Sequence, residues 1–395
     1  MRPVALGFVT AAISFAVACA PSSDPSEGAA SAGASSPDGG AVRSTGGTVQ
    51  TPSGAPGNDA SAPAGDDDDE DTGNDTAQHV AFPSPTIVRD GATYHMYVAK
   101  RLVDGKPINA PHFVGDANGH WKYVGDALTK LNPKVRQDGK KYVVWAPAAA
   151  KIGEKRWVLH YSATLDESTG QKKCLFRAHA DDPNGPFVDD SADALYCAPG
   201  TLWAIDPSLV QDAATKDWYL AARIDEPGGI NTIKIRKLAP NGLDFGRSSD
   251  WATLTRSSPD GWEQPVLENA SVVSLAPSRG GAAHWFVFYS GGAWSDDSYA
   301  IGYADCGTSI VGPCTKKTVK GPWMATDAAQ GVHGPGTPTF YTDEAGATLM
   351  SIQAWKYPNG TANPENTAIG QVMRTYVMTA SSTYEPQAAF TRVDE

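Results

Sequence analysis

Five short runs rich in aromatic and β-branched residues recur along the chain at nearly even spacing, and this repeat limits the fold more than any other feature. They are Thr93–Tyr97, Trp157–Tyr161, Trp218–Ala221, Trp285–Tyr289 and Leu349–Ile352. Anchored at residues 94, 157, 218, 285 and 349, they stand 63, 61, 67 and 64 residues apart. Each follows an apolar strand and a polar turn, as in Thr86-Ile87-Val88-Arg89-Asp90-Gly91. Most precede another strand, such as Cys174–Ala178, Thr232–Leu238 or Tyr299–Ala304. Gly, Asp, Asn and Pro separate the runs, and no helical period of useful length appears. Five units of three or four strands predict an all-β chain folded as a five-bladed β-propeller. Radial repetition leaves only short, protected strand edges. A pair of β-sandwiches is the competing architecture, but it does not require five evenly spaced units.

The repeat starts near residue 79, and what precedes it is of another kind. Residues 1–78 carry 11 Asp/Glu and 2 Arg, a net charge of −9, out of −12 for the whole chain. The remaining −3 leaves the repeat region nearly neutral, without the Lys/Arg-rich face that nucleic-acid binding needs. Met1-Arg2-Pro3 followed by the apolar run Val4–Ala18 has the pattern of a signal peptide over residues 1–18. Ala16-Val17-Ala18-Cys19 resembles the lipobox of bacterial lipoproteins, in which the Cys is lipidated after cleavage. The expectation is export and a lipid anchor on Cys19 at the cell envelope, the only membrane contact; the alternative is soluble secretion. Residues 19–78 are Ser, Gly, Pro and Asp-rich, too poor in bulky apolar groups to offset chain entropy, and read as a disordered linker. The acidic run Asp66–Asp71 lacks the alternation and central Gly of a calcium loop.

With Cys19 set aside, four cysteines remain, an even number in an exported protein. Short loops favour the disulfides Cys174–Cys197 and Cys306–Cys314. Metal binding by these residues is not expected, because no CxxC spacing and no accompanying His occur.

Before the first strand of each unit stands a marked motif: Ser84-Pro85-Thr86, Ala146-Pro147-Ala148, Asp206-Pro207-Ser208, Glu268-Asn269-Ala270-Ser271 and Gly336-Thr337-Pro338. In a propeller the innermost strands surround one channel. Asp206 and Glu268 should therefore meet at its mouth, although Asp-Pro-Ser is also ordinary turn chemistry.

At these residues the sequence resembles glycoside hydrolase family 43, five-bladed propellers that cleave arabinose- and xylose-containing polysaccharides. The resemblance rests on Trp145-Ala146-Pro147, Ala204-Ile205-Asp206-Pro207-Ser208 and Leu267-Glu268-Asn269-Ala270-Ser271. Phe288-Tyr289-Ser290-Gly291, Gly302-Tyr303-Ala304, Val311-Gly312-Pro313-Cys314 and Gly334-Pro335-Gly336 complete it. It implies an inverting mechanism with two carboxyl groups on opposite sides of the scissile bond, one protonating the leaving oxygen and one activating water. Carried over by motif, Glu268 is the general acid and Asp206 the neighbouring carboxylate that keeps it protonated.

Three departures surround the channel. Ser84 stands where the family has its base Asp, Ala148 where an acidic residue is common, and Gln353 where a His supports a channel metal or water. Calcium or water in the channel is thus the one cofactor the resemblance brings in, and no metal ligand is assigned. Asp116, Asp225 and Asp296 are loop acids that are candidates to replace the base. Trp145, Trp203, Trp262, Trp294 and Trp355 lie outside the repeated strands, where flat rings suit sugar faces. Of these, Trp203 and Trp294, with Trp145, are the expected substrate contacts. The chain is read as a monomeric glycosidase acting on polysaccharide or oligosaccharide, with residues 79–395 as its propeller. A glycan-binding propeller that has lost hydrolysis is the alternative.

Overall fold

The computed structural model describes residues 82–394 except 104–105, 117–118, 137–143, 167–171 and 356–370. The expected signal peptide, the expected lipidation site Cys19 and the expected linker lie outside the described residues.

The chain forms five sheets in sequence order, antiparallel except for one parallel pairing, between the seventh and eleventh strands. The first blade is β1 (Thr86–Asp90), β2 (Thr93–Tyr97), β5 (Pro111–Gly115) and β6 (Lys122–Asp126), with a small ribbon, β3 (Arg101–Val103) and β4 (Lys106–Ile108), between β2 and β5. The second contains β7 (Leu128–Lys130), β8 (Val144–Gly153), β9 (Arg156–Thr164), β10 (Lys173–Ala180), β11 (Phe187–Val188) and β12 (Tyr196–Cys197). The third is β13 (Ala204–Gln211), β14 (Trp218–Glu226), β15 (Ile230–Lys237) and β16 (Ala252–Arg256). The fourth is β17 (Leu267–Leu275), β18 (His284–Gly291), β19 (Ala300–Asp305) and β20 (Thr315–Lys316). The fifth is β21 (His333–Thr342), β22 (Thr348–Trp355), β23 (Gln371–Ala380) and β24 (Pro386–Asp394). This is the five-bladed propeller that the repeat predicts.

The repeated aromatic runs are the second strands, and the packing explains their unbroken apolar character. Successive side chains of a strand point to opposite faces, and here both faces meet a neighbouring blade. On β18, Phe286 and Phe288 join a cluster with Met350 and Ile352 of the fifth blade. The alternate residues, Val287 and Tyr289, join Ile233 and Ile235 of the third. The described core is five such clusters, one at each junction between blades.

The ring closes without a shared strand. Ile87, Tyr94, Met96 and Phe113 of the first blade pack on Tyr341, Leu349 and Met373 of the fifth. Tyr94 meets Tyr341 edge to face with centroids 5.9 Å apart, and Arg89 donates to the Asp343 carbonyl.

Both expected disulfides are present. Cys174–Cys197 ties β12 to β10, and Cys306–Cys314 closes the loop between β19 and β20. By loop entropy they contribute roughly 3.5 and roughly 2.5 kcal/mol.

Candidate active site

The innermost strands β1, β8, β13, β17 and β21 line a channel of about 840 Å³. Each carries a non-glycine residue with left-handed backbone at the same end: Ser84 (φ 46°), Ala146 (φ 44°), Asp206 (φ 56°), Asn269 (φ 49°) and Thr337 (φ 49°). Such a conformation costs an L-residue roughly 1–2 kcal/mol, least for Asp and Asn. In four blades the pairing with the second strand shifts across this residue. Pro follows in four of the five and Ala in the fourth. A missing N–H is tolerated on an edge strand at a bulge, which accounts for the repeated X-Pro motif. The register differs by one from the sequence expectation: Asp206 is equivalent to Asn269, and Glu268 stands one residue earlier.

The bulges are held from the preceding blade. Ser162 Oγ accepts the Asp206 N–H at 2.8 Å, Ser290 Oγ accepts that of Thr337 at 2.8 Å, and Gln353 Oε1 accepts that of Ser84 at 3.1 Å. These acceptors occupy one register position, opposite Trp145, Glu268 and Gly336 respectively. In the third blade that position, opposite Ile205, is Arg223. A guanidinium accepts nothing, and the Asn269 N–H is taken instead by Asp206 Oδ2 at 3.1 Å.

Arg223 is 3% exposed and joins the acids into one network. Its Nε and Nη2 donate to the two Asp225 oxygens at 2.8 and 3.3 Å, and Nη1 donates to Glu268 Oε2 at 3.0 Å. Asn231 donates to Asp225 and accepts the Leu267 N–H, fixing β17 just ahead of Glu268. The other Glu268 oxygen accepts the Tyr299 hydroxyl at 3.0 Å, and Asn269 Nδ2 donates to that hydroxyl at 3.1 Å. Burial, then the charge of Glu268, lifts Tyr299 well above the usual tyrosine range, so it is a neutral donor. Burial opposes the charge on Arg223, but Asp225 and Glu268 more than offset it. Asp206 is raised, to about 7, first by burial and then by the like charge of Glu268.

Ser84 lies across the channel mouth. Gln353 Oε1, which accepts its N–H, also accepts the Thr337 hydroxyl at 3.4 Å. Among the described residues no hydrogen bond or ion pair brings a carboxylate to Ser84. No three His, Cys, Asp or Glu side chains gather as a metal site among them.

The three loop acids fare differently. Asp116 follows β5, whose Gly115 is opposite Tyr94, at the far end of the blade. It cannot serve the site. Asp225, expected in a loop, lies on β14 and is committed to Arg223. Asp296 lies at the near end, in the turn whose Ser298 N–H it accepts at 2.7 Å.

Trp145 and Trp203 meet edge to face at 5.9 Å, beside the bulges of the second and third blades. The Lys173 ammonium sits 3.7 Å over the Trp145 ring, covering one of its faces. Trp294, in the loop after β18, is 45% exposed at the same end. Trp262 instead stacks on Tyr289 and donates to the Thr318 carbonyl, and Trp355 is buried opposite His333. Trp262 packs on the cluster between the third and fourth blades, and Trp355, expected outside the repeated strands, is the last residue of β22.

The sequence reading missed Arg223 and Tyr299. A signal for Arg223 existed, as the one cation interrupting the apolar run Tyr219-Leu220-Ala221-Ala222-Arg223-Ile224.

The family model for glycosyl hydrolases family 43 matches residues 79–375. The chain belongs to this family. Its fold is similar to that of an endo-1,4-β-xylanase from Bacteroides thetaiotaomicron, with TM-score 0.61 and 19% identity over 80% of this chain and 96% of that one. A Cellvibrio cellulosa α-L-arabinanase complexed with arabinohexaose gives TM-score 0.58 and 16% identity over 78% and 96%. A xylan β-1,4-xylosidase from Bacillus halodurans gives 0.59 and 14% over 78% and 55%. No curated protein matches the chain.

Proposed function

We propose that this family 43 chain hydrolyses O-glycosidic bonds in arabinose- or xylose-containing polysaccharides with inversion. Glu268 gives its proton to the leaving oxygen, Asp206 stands beside it, and water enters from the Ser84 side. The observation that carries the reading is the joining of Asp206 and Glu268 through Asn269 and Tyr299 at one end of the channel. The xylanase, xylosidase and arabinanase among the similar folds support the sugar class.

A serine hydroxyl is a poor proton acceptor at neutral pH, and losing a general base costs about 10²–10⁴-fold. Ser84→Asp is therefore expected to raise hydrolysis of arabinan or xylan at least about tenfold. Adding Glu268→Gln should remove the gain, because an amide keeps the shape but gives no proton. If wild type already matches Ser84→Asp, another group is the base. Ser84, held by Gln353 and bonded to no acid among the described residues, also favours a second reading, a surface glycan-binding propeller. Binding of a pentose polymer with no turnover in either protein would select it.

The same reading has the protein exported and anchored through lipid on Cys19 as a monomer. Cys19→Ser should then leave the detergent phase in a partition assay, and equal partitioning would refute the anchor.

A further inference from the structure

Arg223 stands in the wrong place for an ordinary bulge and in a consequential place for the acid. At its register position the second, fourth and fifth blades carry Ser162, Ser290 and Gln353, each an uncharged acceptor for a neighbouring bulge. The third blade gives up that acceptor and places a buried cation 3.0 Å from Glu268. We propose that Arg223 is a positioning residue whose charge competes with the proton for Glu268, and so sets the upper pH at which this site can act as an acid. The proposal rests on the glycosidase reading of Glu268.

The geometry carries it in three steps. First, both Glu268 oxygens accept donors, Arg223 Nη1 and the Tyr299 hydroxyl, an arrangement that suits an ionised carboxylate. A proton bound there has to compete with the guanidinium charge for the same carboxyl group. Second, the guanidinium is buried and cannot turn to water, so its charge is weakly screened. Third, the group with the opposite influence is weakened: burial raises the proton affinity of Asp206, the like charge that favours a proton on Glu268. The charged and titratable groups around Glu268 are Asp206 on β13, Arg223 and Asp225 on β14, and Tyr299 ahead of β19. The His333–Asp297 pair lies beyond Tyr299. Arg223 is the one cation in direct contact with the Glu268 carboxylate among the described residues, and Asp225 holds the rest of its fork.

Asp225 therefore divides the guanidinium with Glu268, which gives a prediction of opposite signs from two neighbouring substitutions. In the Ser84→Asp background, Arg223→Gln removes the cation and keeps a donor amide. The alkaline limb of the pH–rate profile should move up by at least about one pH unit. At a pH above the original limb this gives about a tenfold gain in kcat for each unit moved. Asp225→Asn removes the carboxylate charge that competes for the guanidinium, and the limb should move down. A residue that merely supports the fold would lower the rate in both variants and leave the limb in place.

A second readout does not depend on turnover. Carboxyl ¹³C NMR of Glu-labelled protein, with Glu268→Gln used to identify the signal, follows Glu268 directly in the wild-type background. Its titration should move up in Arg223→Gln and down in Asp225→Asn. The proposal is overturned if the Glu268 signal titrates unchanged, or if both variants shift it the same way. A chain in which the signal moves as expected yet no variant hydrolyses any pentose polymer would refute the glycosidase reading alone. Thermal unfolding of each variant separates loss of fold from loss of charge.

Discussion

Gly336 is the lever that reaches Glu268 without touching its charge. A Cβ at Gly336 would lie 2.0 Å from Tyr299 Cε1 and 2.4 Å from Cδ1. Ordinary contact begins near 3.4 Å, so the ring has to retreat by about 1.4 Å, the difference of those distances. Tyr299 is 4% exposed, so the retreat is into packed surroundings. Overpacking of this kind costs about 1–3 kcal/mol. At about 2–4 °C per kcal/mol for a large domain, Gly336→Ala should lower Tm by about 2–12 °C. Because the ring carries the hydroxyl bound to Glu268 and Asn269, glycan turnover or binding should fall with it. Tyr299→Ala alone should cost about 3–5 kcal/mol. The pair should then cost about 1–3 kcal/mol less than the sum, since the small side chain removes the collision. Tyr299→Phe keeps the ring and should give no such relief. Urea unfolding of the four proteins closes the cycle. Gly336→Ala as stable as wild type, or strictly additive costs, would refute the reasoning.

Asp206 has a raised proton affinity in the folded state, so its contribution to stability is full below about pH 4 and is lost as pH rises toward about 7. Asp206→Asn should flatten that fall, read as urea midpoints at pH 4.5 and 8; parallel pH dependence in both proteins would contradict it. Trp294 is 45% exposed and stands at the site end, so Trp294→Ala should weaken binding of arabinan or xylan while leaving Tm within about 1–2 °C. Unchanged affinity would remove it from the substrate contacts.

The architecture was legible because each blade is covered on both faces. That requirement turns every second strand into an unbroken apolar run, and five such runs at even spacing admit few other folds. Asp206 and Glu268 were legible through the motifs that repeat with the blades. Their exact equivalence was not, because left-handed backbone at Asn269 rather than Glu268 marks the register, and conformation is not written in residue type. The roles of Arg223 and Tyr299 were hidden for a different reason. Their partners lie 45 and 31 residues away in the sequence, and only the stacking of adjacent blades makes Arg223 and Tyr299 meet at one carboxylate. Gln353 was noticed as a missing histidine. Its positive role, holding the Ser84 amide across the seam between the last and first blades, needed coordinates.

The chain enters the ring through Phe82-Pro83-Ser84 at the end of the channel where Asp206 and Glu268 meet. It leaves from that end too, since β24 runs back alongside β23 with Asp394 opposite Met373. A fused module or solid support attached directly at Phe82 or Asp394 stands on the side from which a long polymer must approach. Immobilisation at those two positions would turn the mouth toward the surface. The turns at the opposite end, such as Asp212–Asp217 and Asp343–Ala347, are the attachment points that leave the approach open.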